Sequence, residues 1–161
     1  MPFNVLVLCT GNSARSILGE MLFNHLGQGR VKAYSAGSKP TGQVNPVALE
    51  TLKKHGVPSV GARSKSWDEF AAPGAPTIDF IFTVCDNAAN EACPVWPGHP
   101  TTAHWGIPDP AHVEPLAARR EAFEQAYQSL RKRIEAFLAL PLESMTPDAI
   151  VAAARRIHED E

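Results

Sequence analysis

A cysteine and an arginine near the N-terminus have the spacing of an oxyanion-binding nucleophile. Cys9 follows the apolar residues 5–8, and Arg15 comes after five intervening residues, at the start of an amphipathic segment. A loop between a strand and a helix turns its N–H groups inward and can hold a tetrahedral oxyanion. The arginine adds a planar fork of donors, and the same field favours a cysteine thiolate. The residues expected to bind the anion are Thr10, Gly11, Asn12, Ser13, Ala14, Arg15 and Ser16. The alternative is a buried, chemically inert cysteine, because free cysteine is among the most buried residue types.

The order of the elements predicted around this loop indicates an α/β fold. The hydrophobic patterns predict strands at 3–8, 31–36, 78–84 and 101–105, and helices at 16–26, 46–56, 114–138 and 146–158. Strands that alternate with helices form a parallel sheet with helices on both faces. Right-handed crossovers then give a small, flavodoxin-like three-layer fold with four strands in the order 2-1-3-4. Ligands bind such sheets at the carboxyl ends of the strands, where Cys9 stands.

Composition limits the classes to which the chain can belong. The 161 residues suit one catalytic domain over 1–140, followed by an extension with a short helix over 141–161. A net charge of −2 gives no basic footprint for nucleic acid, and no apolar run is long enough to span a membrane. The N-terminus has no signal-peptide pattern, so we expect a cytoplasmic protein. No cofactor is expected.

Two further cysteines follow the third predicted strand. Cys85 ends that strand, about 4.8 Å from strand one, so we expect it near Cys9. Cys93 comes eight residues later, which in a helix would separate the two Cα atoms by about 12 Å, whereas a disulfide needs roughly 4.4–6.8 Å. A Cys85–Cys93 bond would therefore need a looped or unwound segment. One alternative is that Cys85 packs under the edge of the sheet and Cys93 has no role. Another is a metal site formed by the two cysteines with His99 and His104, although the cysteine spacing is unlike that of zinc sites.

One carboxylate and a small polar set complete the candidate residues. Asp109 lies between two prolines ahead of the long helix, where it is either a general acid or an ordinary turn residue. Glu20, Ser35 and Lys65, together with Asn12, are expected to order the anion-binding loop through hydrogen bonds. The arginine-rich faces of the last two helices are expected to be solvated.

Residues 9–16 closely resemble the anion loop of the arsenate reductases built on the low-molecular-weight protein tyrosine phosphatase fold. Further segments are similar to that family, namely Tyr34-Ser35-Ala36-Gly37, Asn45-Pro46, Thr83-Val84-Cys85-Asp86, Cys93-Pro94 and His104-Trp105-Gly106-Ile107-Pro108-Asp109-Pro110-Ala111. The resemblance implies that Cys9 is the nucleophile, that Arg15 binds the oxyanion and that Asp109 is the general acid. It also implies that Cys85 and Cys93 form a redox relay, with thioredoxin as the final reductant.

The chain departs from that family in three places. Ala14 stands where close relatives often have a fourth cysteine, which the relay does not need. The interval from Cys85 to Cys93 is one residue longer than in the best-known members. Some relatives bind potassium beside the loop through residues like Asn12, Glu20 and Ser35. Lys65 stands where a carboxylate ligand would be, so we predict that its ammonium replaces the ion and that the chain holds no metal.

The resemblance predicts an arsenate reductase, for which phosphate and sulfate are competing oxyanions. Glutathione with glutaredoxin is the alternative to thioredoxin as the electron source. The first competing function is a phosphatase that uses the same Cys9, Arg15 and Asp109. Against it, Ala111 stands where phosphatases usually carry an aromatic residue. The second is a non-enzymatic anion-binding or thiol-redox sensor module, which would have no need of a general acid.

Overall fold

Residues 3–84 and 101–159, which the computed structural model describes, contain four parallel strands in a single sheet. The strands are β1 (Phe3–Leu8), β2 (Val31–Ala36), β3 (Phe80–Thr83) and β4 (Thr101–His104). Their order is β2-β1-β3-β4, which confirms the order predicted from the crossovers. Leu8 at the end of β1 pairs with Ala36 on one side and with Thr83 on the other, so the three strands end together.

Helices complete the predicted flavodoxin-like α/β fold. They are α1 (Arg15–Gly27), α2 (Pro46–Lys54), α3 (Leu116–Leu138) and α4 (Pro147–Glu159), with 3-10 turns at Trp67–Phe70 and Leu142–Ser144. Asn45 begins α2, because its side chain accepts a hydrogen bond from the Val47 N–H at 2.9 Å. Within the described part of the chain, no helix is both long and apolar enough to cross a membrane.

The end of α1 differs from the prediction, which ended the helix at residue 26. Gly27 is still helical, and the left-handed residue that ends the helix is Gln28, with φ of 47°. A Cβ at Gly27 would lie 2.5 Å from Val31 Cγ2. Gly27 is therefore needed because it has no side chain to collide with β2, and not because of its backbone conformation.

The core lies along the central strands and the long helix. Residues 5–8 of β1 are at most 1% exposed, as expected for a strand that is covered on both faces. Four aromatic side chains pack together beside it, and Phe82 lies 4.2 Å from Trp105 and 5.2 Å from Phe137 between ring centroids. The fourth member, Phe23 of α1, stacks on Trp105. This cluster holds α1, β3 and α3 in fixed positions around the ends of the strands.

Helix α4 docks on the edge of the sheet. Trp105 Nε1 donates to the Ala154 carbonyl at 2.8 Å, and Arg155 donates to the Thr102 carbonyl in β4 at 3.1 Å. The expectation of solvated arginines on the last two helices is wrong for Arg133. Its guanidinium is buried and donates to the Trp105 carbonyl at 2.8 Å, because the turn after β4 leaves that carbonyl without a ladder partner. The division at residue 140 stays a prediction.

Candidate active site

The anion loop, residues 9–16, turns its carbonyl groups away from the space at the end of β1. The Thr10, Gly11 and Ser13 carbonyls accept hydrogen bonds of 2.8–3.0 Å from the N–H groups of Lys39, Thr41 and Asn45. In a trans peptide the next N–H points opposite to the carbonyl. The amides of residues 11, 12 and 14 therefore point the other way, as an anion cradle requires.

Two backbone features hold the loop in this shape. Asn12 has φ of 44°, a left-handed conformation that asparagine tolerates. Its amide group donates to Ser16 Oγ at 2.9 Å and its oxygen accepts from the Lys65 N–H at 2.8 Å. At the end of β2, a Cβ on Gly37 would lie 2.3 Å from the Thr10 carbonyl oxygen and 2.5 Å from that of Cys9. Only glycine allows β2 to approach the anion loop this closely.

The positive end of α1 opens into the same space. The helix begins at Arg15, the preceding Ala14 has no side-chain cap, and the first turn contains no acidic residue. The first N–H groups of a helix have no partners within it, and its dipole favours negative charge at that end. An oxyanion bound here would accept hydrogen bonds from the first N–H groups of α1, which no capping side chain does.

A cleft of about 450 Å³ contains the predicted nucleophile, anion-binding arginine and general acid. Cys9, which is 5% exposed, lines it together with Arg15 and Asp109. The lining also includes residues that the sequence analysis missed, Thr41, Gln43, Val44 and His112. Of these residues, only His112 could have been found from the sequence, because it follows the predicted acid Asp109 by three residues. Thr41, Gln43 and Val44 have no reactive or charged group that would mark them as part of a site.

Arg15 links the anion loop to the loop that carries Asp109. One amino group of its guanidinium donates to the Ile107 carbonyl at 3.0 Å, and the other lies 3.6 Å from the Asp109 carboxylate. Asp109 in turn accepts a hydrogen bond from the Ala111 N–H at 2.9 Å, so its carboxyl group is oriented by its own turn. The Asp109 side chain is 42% exposed and the Arg15 side chain 14%. The Asp109 carboxyl is therefore accessible from solvent, whereas the Arg15 guanidinium that it neighbours is largely buried.

The structure brings together the support cluster, Asn12, Glu20, Ser35 and Lys65, behind the anion loop. The Ser35 hydroxyl donates to the Glu20 carboxylate, and Lys65 Nζ lies 3.6 Å from that carboxylate and 3.5 Å from Ser35 Oγ. Lys65 Nζ also donates to the Arg63 carbonyl at 3.0 Å. Burial raises the pKa of Glu20 and lowers the pKa of Lys65, and the opposite charge of each partner counters the shift. Lys65 Nζ thus lies beside the Glu20 carboxylate, and the replacement of a bound cation by its ammonium stays a prediction.

Replacing Lys65 with methionine should lower the free energy of unfolding by about 3 kcal/mol, because it leaves the Glu20 carboxylate buried without its ion partner. Urea denaturation at neutral pH measures this change. Lys53→Met, at an exposed position on α2, is the matched control and should change stability by less than about 0.5 kcal/mol. Adding Glu20→Gln to Lys65→Met should recover part of the loss. An unchanged Lys65→Met variant, or an unaltered protein whose activity rises strongly with potassium over sodium, would contradict this role.

Cys85, Cys93 and His99 lie outside the described residues, so the relay and the alternative metal site stay predictions. The structure does describe the strand that leads to Cys85. Val84, which follows β3 directly, donates its N–H to the Leu8 carbonyl at 2.9 Å. Strand β3 therefore runs beside β1 to the same edge of the sheet, as predicted. Among residues 3–84 and 101–159, no three His, Cys, Asp or Glu side chains are grouped as metal ligands.

Comparison with known proteins identifies relatives over most of the chain. A family model described as low molecular weight phosphotyrosine protein phosphatase matches residues 4–149. The arsenate reductase of Bacillus licheniformis is 35% identical over 132 residues, which cover 81% of this chain and 91% of that protein. The arsenate reductase of Shouchella clausii is 32% identical over 131 residues, with the same two coverages of 81% and 91%.

Solved structures share the fold. An arsenate reductase in its reduced state has a TM-score of 0.68 at 23% identity, covering 85% of this chain and 97% of that one. The low molecular weight protein tyrosine phosphatase from T. tengcongensis has a TM-score of 0.64 at 25% identity, covering 83% and 98%. The thioredoxin-dependent arsenate reductase of Corynebacterium glutamicum has a TM-score of 0.56 at 24% identity, covering 83% of this chain and 62% of that one. One fold thus hosts both reductases and phosphatases.

Proposed function

The chain belongs to the low molecular weight phosphotyrosine protein phosphatase family, and we propose that within it the protein is an arsenate reductase that forms arsenite. The observation that carries this proposal is its similarity, at 32–35% identity over most of both chains, to relatives named arsenate reductase. The cleft supports the same chemistry, because it combines a thiol, a fixed guanidinium and an oriented carboxyl group around one anion cradle.

The first step follows from the geometry of the cleft. Arsenate is a tetrahedral oxyanion, which the inward amides of the anion loop and the Arg15 guanidinium would bind. The Cys9 thiolate attacks arsenic and forms a sulfur–arsenic bond. The bond between arsenic and one hydroxyl oxygen breaks, and that oxygen leaves as water with a proton from Asp109. The product is a covalent adduct of Cys9 that still contains arsenic(V).

The second step uses the thiol that distinguishes a reductase from a phosphatase. Cys85 attacks the Cys9 sulfur, the electron pair of the sulfur–arsenic bond passes to arsenic, and arsenic(III) leaves as arsenite. Cys93 then attacks Cys85, which releases the Cys9 thiolate and forms a Cys85–Cys93 disulfide. An external dithiol returns two electrons. The roles of Cys85 and Cys93 come from the sequence resemblance.

Thioredoxin is our proposed reductant, because one structural neighbour is described as a thioredoxin-dependent arsenate reductase. Glutathione with glutaredoxin is the alternative. Phosphate and sulfate should compete with arsenate, since they present the same tetrahedral set of oxygens to the cradle. We place the protein in the cytoplasm, because a thiol relay of this kind needs a reducing compartment.

Phosphate-ester hydrolysis is the second candidate function, because the fold is shared with a tyrosine phosphatase. The same Cys9, Arg15 and Asp109 would perform it, with water instead of Cys85 completing the reaction. Ala111 lines the cleft beside Asp109, and its methyl group gives an aryl ring little surface to pack against. We therefore expect weak residual phosphatase activity.

Arsenate-dependent oxidation of NADPH, with thioredoxin and its reductase supplied, tests the proposed function. The unaltered protein should consume one NADPH for each arsenite formed, and inorganic phosphate should inhibit competitively. Hydrolysis of an aryl phosphate by the same preparation should be much slower. An absence of arsenite with either thioredoxin or glutaredoxin, together with steady hydrolysis of the aryl phosphate, would instead assign the protein to the phosphatases.

A further inference from the structure

One titratable side chain in the cleft has no role in the proposed mechanism. Of the described residues that line the cleft, four have titratable groups: Cys9, Arg15, Asp109 and His112. The first three are the nucleophile, the anion-binding group and the acid. His112 lies on the same loop as Asp109, three residues later, and its side chain is exposed to solvent. Its position at an anion site raises the question of what its charge does there.

His112 has no competing electrostatic partner in the described parts of the chain, where its imidazole makes no hydrogen bond or ion pair. The loop around it is nevertheless held in place. Asp109 accepts from the Ala111 N–H, and Arg119 donates through Nε to the Val113 carbonyl at 3.0 Å. The next carboxylate along the chain, Glu114, is paired with Arg119 at 2.5 Å. The imidazole is thus presented by an ordered loop and is not neutralised by its neighbours.

A second positive charge in the cleft would strengthen anion binding, because the charge of Arg15 is partly offset. The Arg15 guanidinium lies 3.6 Å from the Asp109 carboxylate, which offsets part of its field. Thr41, Gln43 and Val44, which line the same cleft, carry no charge. Histidine is the side-chain type that can add such a cation in response to pH near neutrality.

We propose that His112 is a proton-dependent determinant of oxyanion affinity, which strengthens the binding of tetrahedral dianions when its imidazole is protonated. The identification of arsenate as that dianion rests on the proposed function. His112 lines the same cleft as the anion loop and is exposed, so solvent partly screens the action of its charge on a bound anion. The partly screened attraction between a unit charge and a dianion changes a binding constant by about three- to tenfold.

Sulfate binding to a Cys9→Ser protein tests this proposal without the reaction. Sulfate stays a dianion from pH 5.5 to pH 8.0, whereas arsenate itself titrates there, and the substitution removes the titration of the Cys9 thiol. Isothermal titration calorimetry at constant ionic strength should show sulfate binding about fivefold more tightly at pH 5.5 than at pH 8.0. Adding His112→Gln should make the affinity weak and independent of pH. Adding His112→Lys should keep it tight at both pH values.

The matched control is His25→Gln in the same Cys9→Ser background. His25 is exposed in the last turn of α1, at the opposite end of the helix from the cleft, and its replacement should leave the pH dependence intact. A pH-independent parent, or a dependence that persists in His112→Gln, overturns the role of His112 and leaves the proposed function standing. Normal pH-dependent sulfate binding in a protein that forms no arsenite would overturn only the arsenate assignment.

Discussion

A Cys93→Ser variant should release one arsenite per chain and then stop when thioredoxin is the reductant. In the proposed sequence, arsenite leaves when Cys85 attacks Cys9, before Cys93 acts, so a single turnover survives the substitution. The resulting Cys9–Cys85 disulfide then blocks the nucleophile. Rapid-quench measurement of arsenite against protein concentration should show this burst, and steady-state turnover should fall to the background rate. Both cysteines lie outside the described residues, so the burst also tests their assignment.

The paired variant Cys85→Ser should release no arsenite, because nothing attacks the sulfur of the Cys9 adduct. It should instead retain arsenic on the chain, which mass spectrometry of the intact protein would detect. Cys93→Ser should thus release one arsenite per chain and Cys85→Ser none. This difference distinguishes the roles of the two thiols, whereas both variants should lose steady-state activity. Full multiple turnover by Cys93→Ser with thioredoxin would contradict the relay and favour a reductant that attacks the Cys9–Cys85 bond directly.

Asp109→Asn should lower the rate of arsenate reduction by about 10²- to 10³-fold, because the leaving oxygen loses its proton donor. The asparagine retains a carbonyl oxygen, so it can still accept the Ala111 hydrogen bond that orients the turn. Loss of activity would then report the missing proton and not a displaced loop. Sulfate binding should be unchanged or tighter, since a negative charge 3.6 Å from the Arg15 guanidinium is removed. Single-turnover kinetics and calorimetry measure the two quantities.

This substitution also separates the enzymes from the sensor module. An anion-binding or thiol-redox sensor has no leaving oxygen to protonate, so its response to oxidation or to phosphate should be unaffected by Asp109→Asn. If the variant reduces arsenate at the unaltered rate, Asp109 is not the acid. If both the rate and the affinity for sulfate collapse, the carboxylate serves to position Arg15.

The fold was predictable because its signals are local. The apolar run of β1, the helical spacing of α1 and the start signals of α2 each lie within a dozen residues, and crossover handedness restricts the strand order. Strand β3 is shorter than the predicted 78–84, because hydrophobicity marks burial, and burial continues beyond the strand. Ile78 and Val84 are 2% and 0% exposed, yet they lie outside Phe80–Thr83. Likewise, the packing of Gly27 on Val31 depends on contacts that a single sequence does not reveal.

The candidate site was predictable only in part. Cys9, Arg15 and Asp109 stand out because their side chains have reactive groups in constrained positions. The neutral wall around Thr41 has no such signal, and its place depends on hydrogen bonds from the Thr41 and Asn45 N–H groups to the anion loop. The role of Gly37 is equally hidden, since what matters is the space that its missing side chain leaves beside the Cys9 carbonyl. Such tertiary constraints appear only when distant segments are in contact.

The docking of α4 on β4 has a consequence for the behaviour of the protein in concentrated solution. Strand β4 is an outer strand of the sheet, and the exposed backbone of an outer strand is a template for pairing with another chain. The C-terminal helix packs on this strand, and Arg155 occupies the Thr102 carbonyl. We therefore expect α4 to hinder the pairing of β4 with another chain. A protein shortened at residue 140 should self-associate through β4, which sedimentation of the shortened protein at high concentration would show.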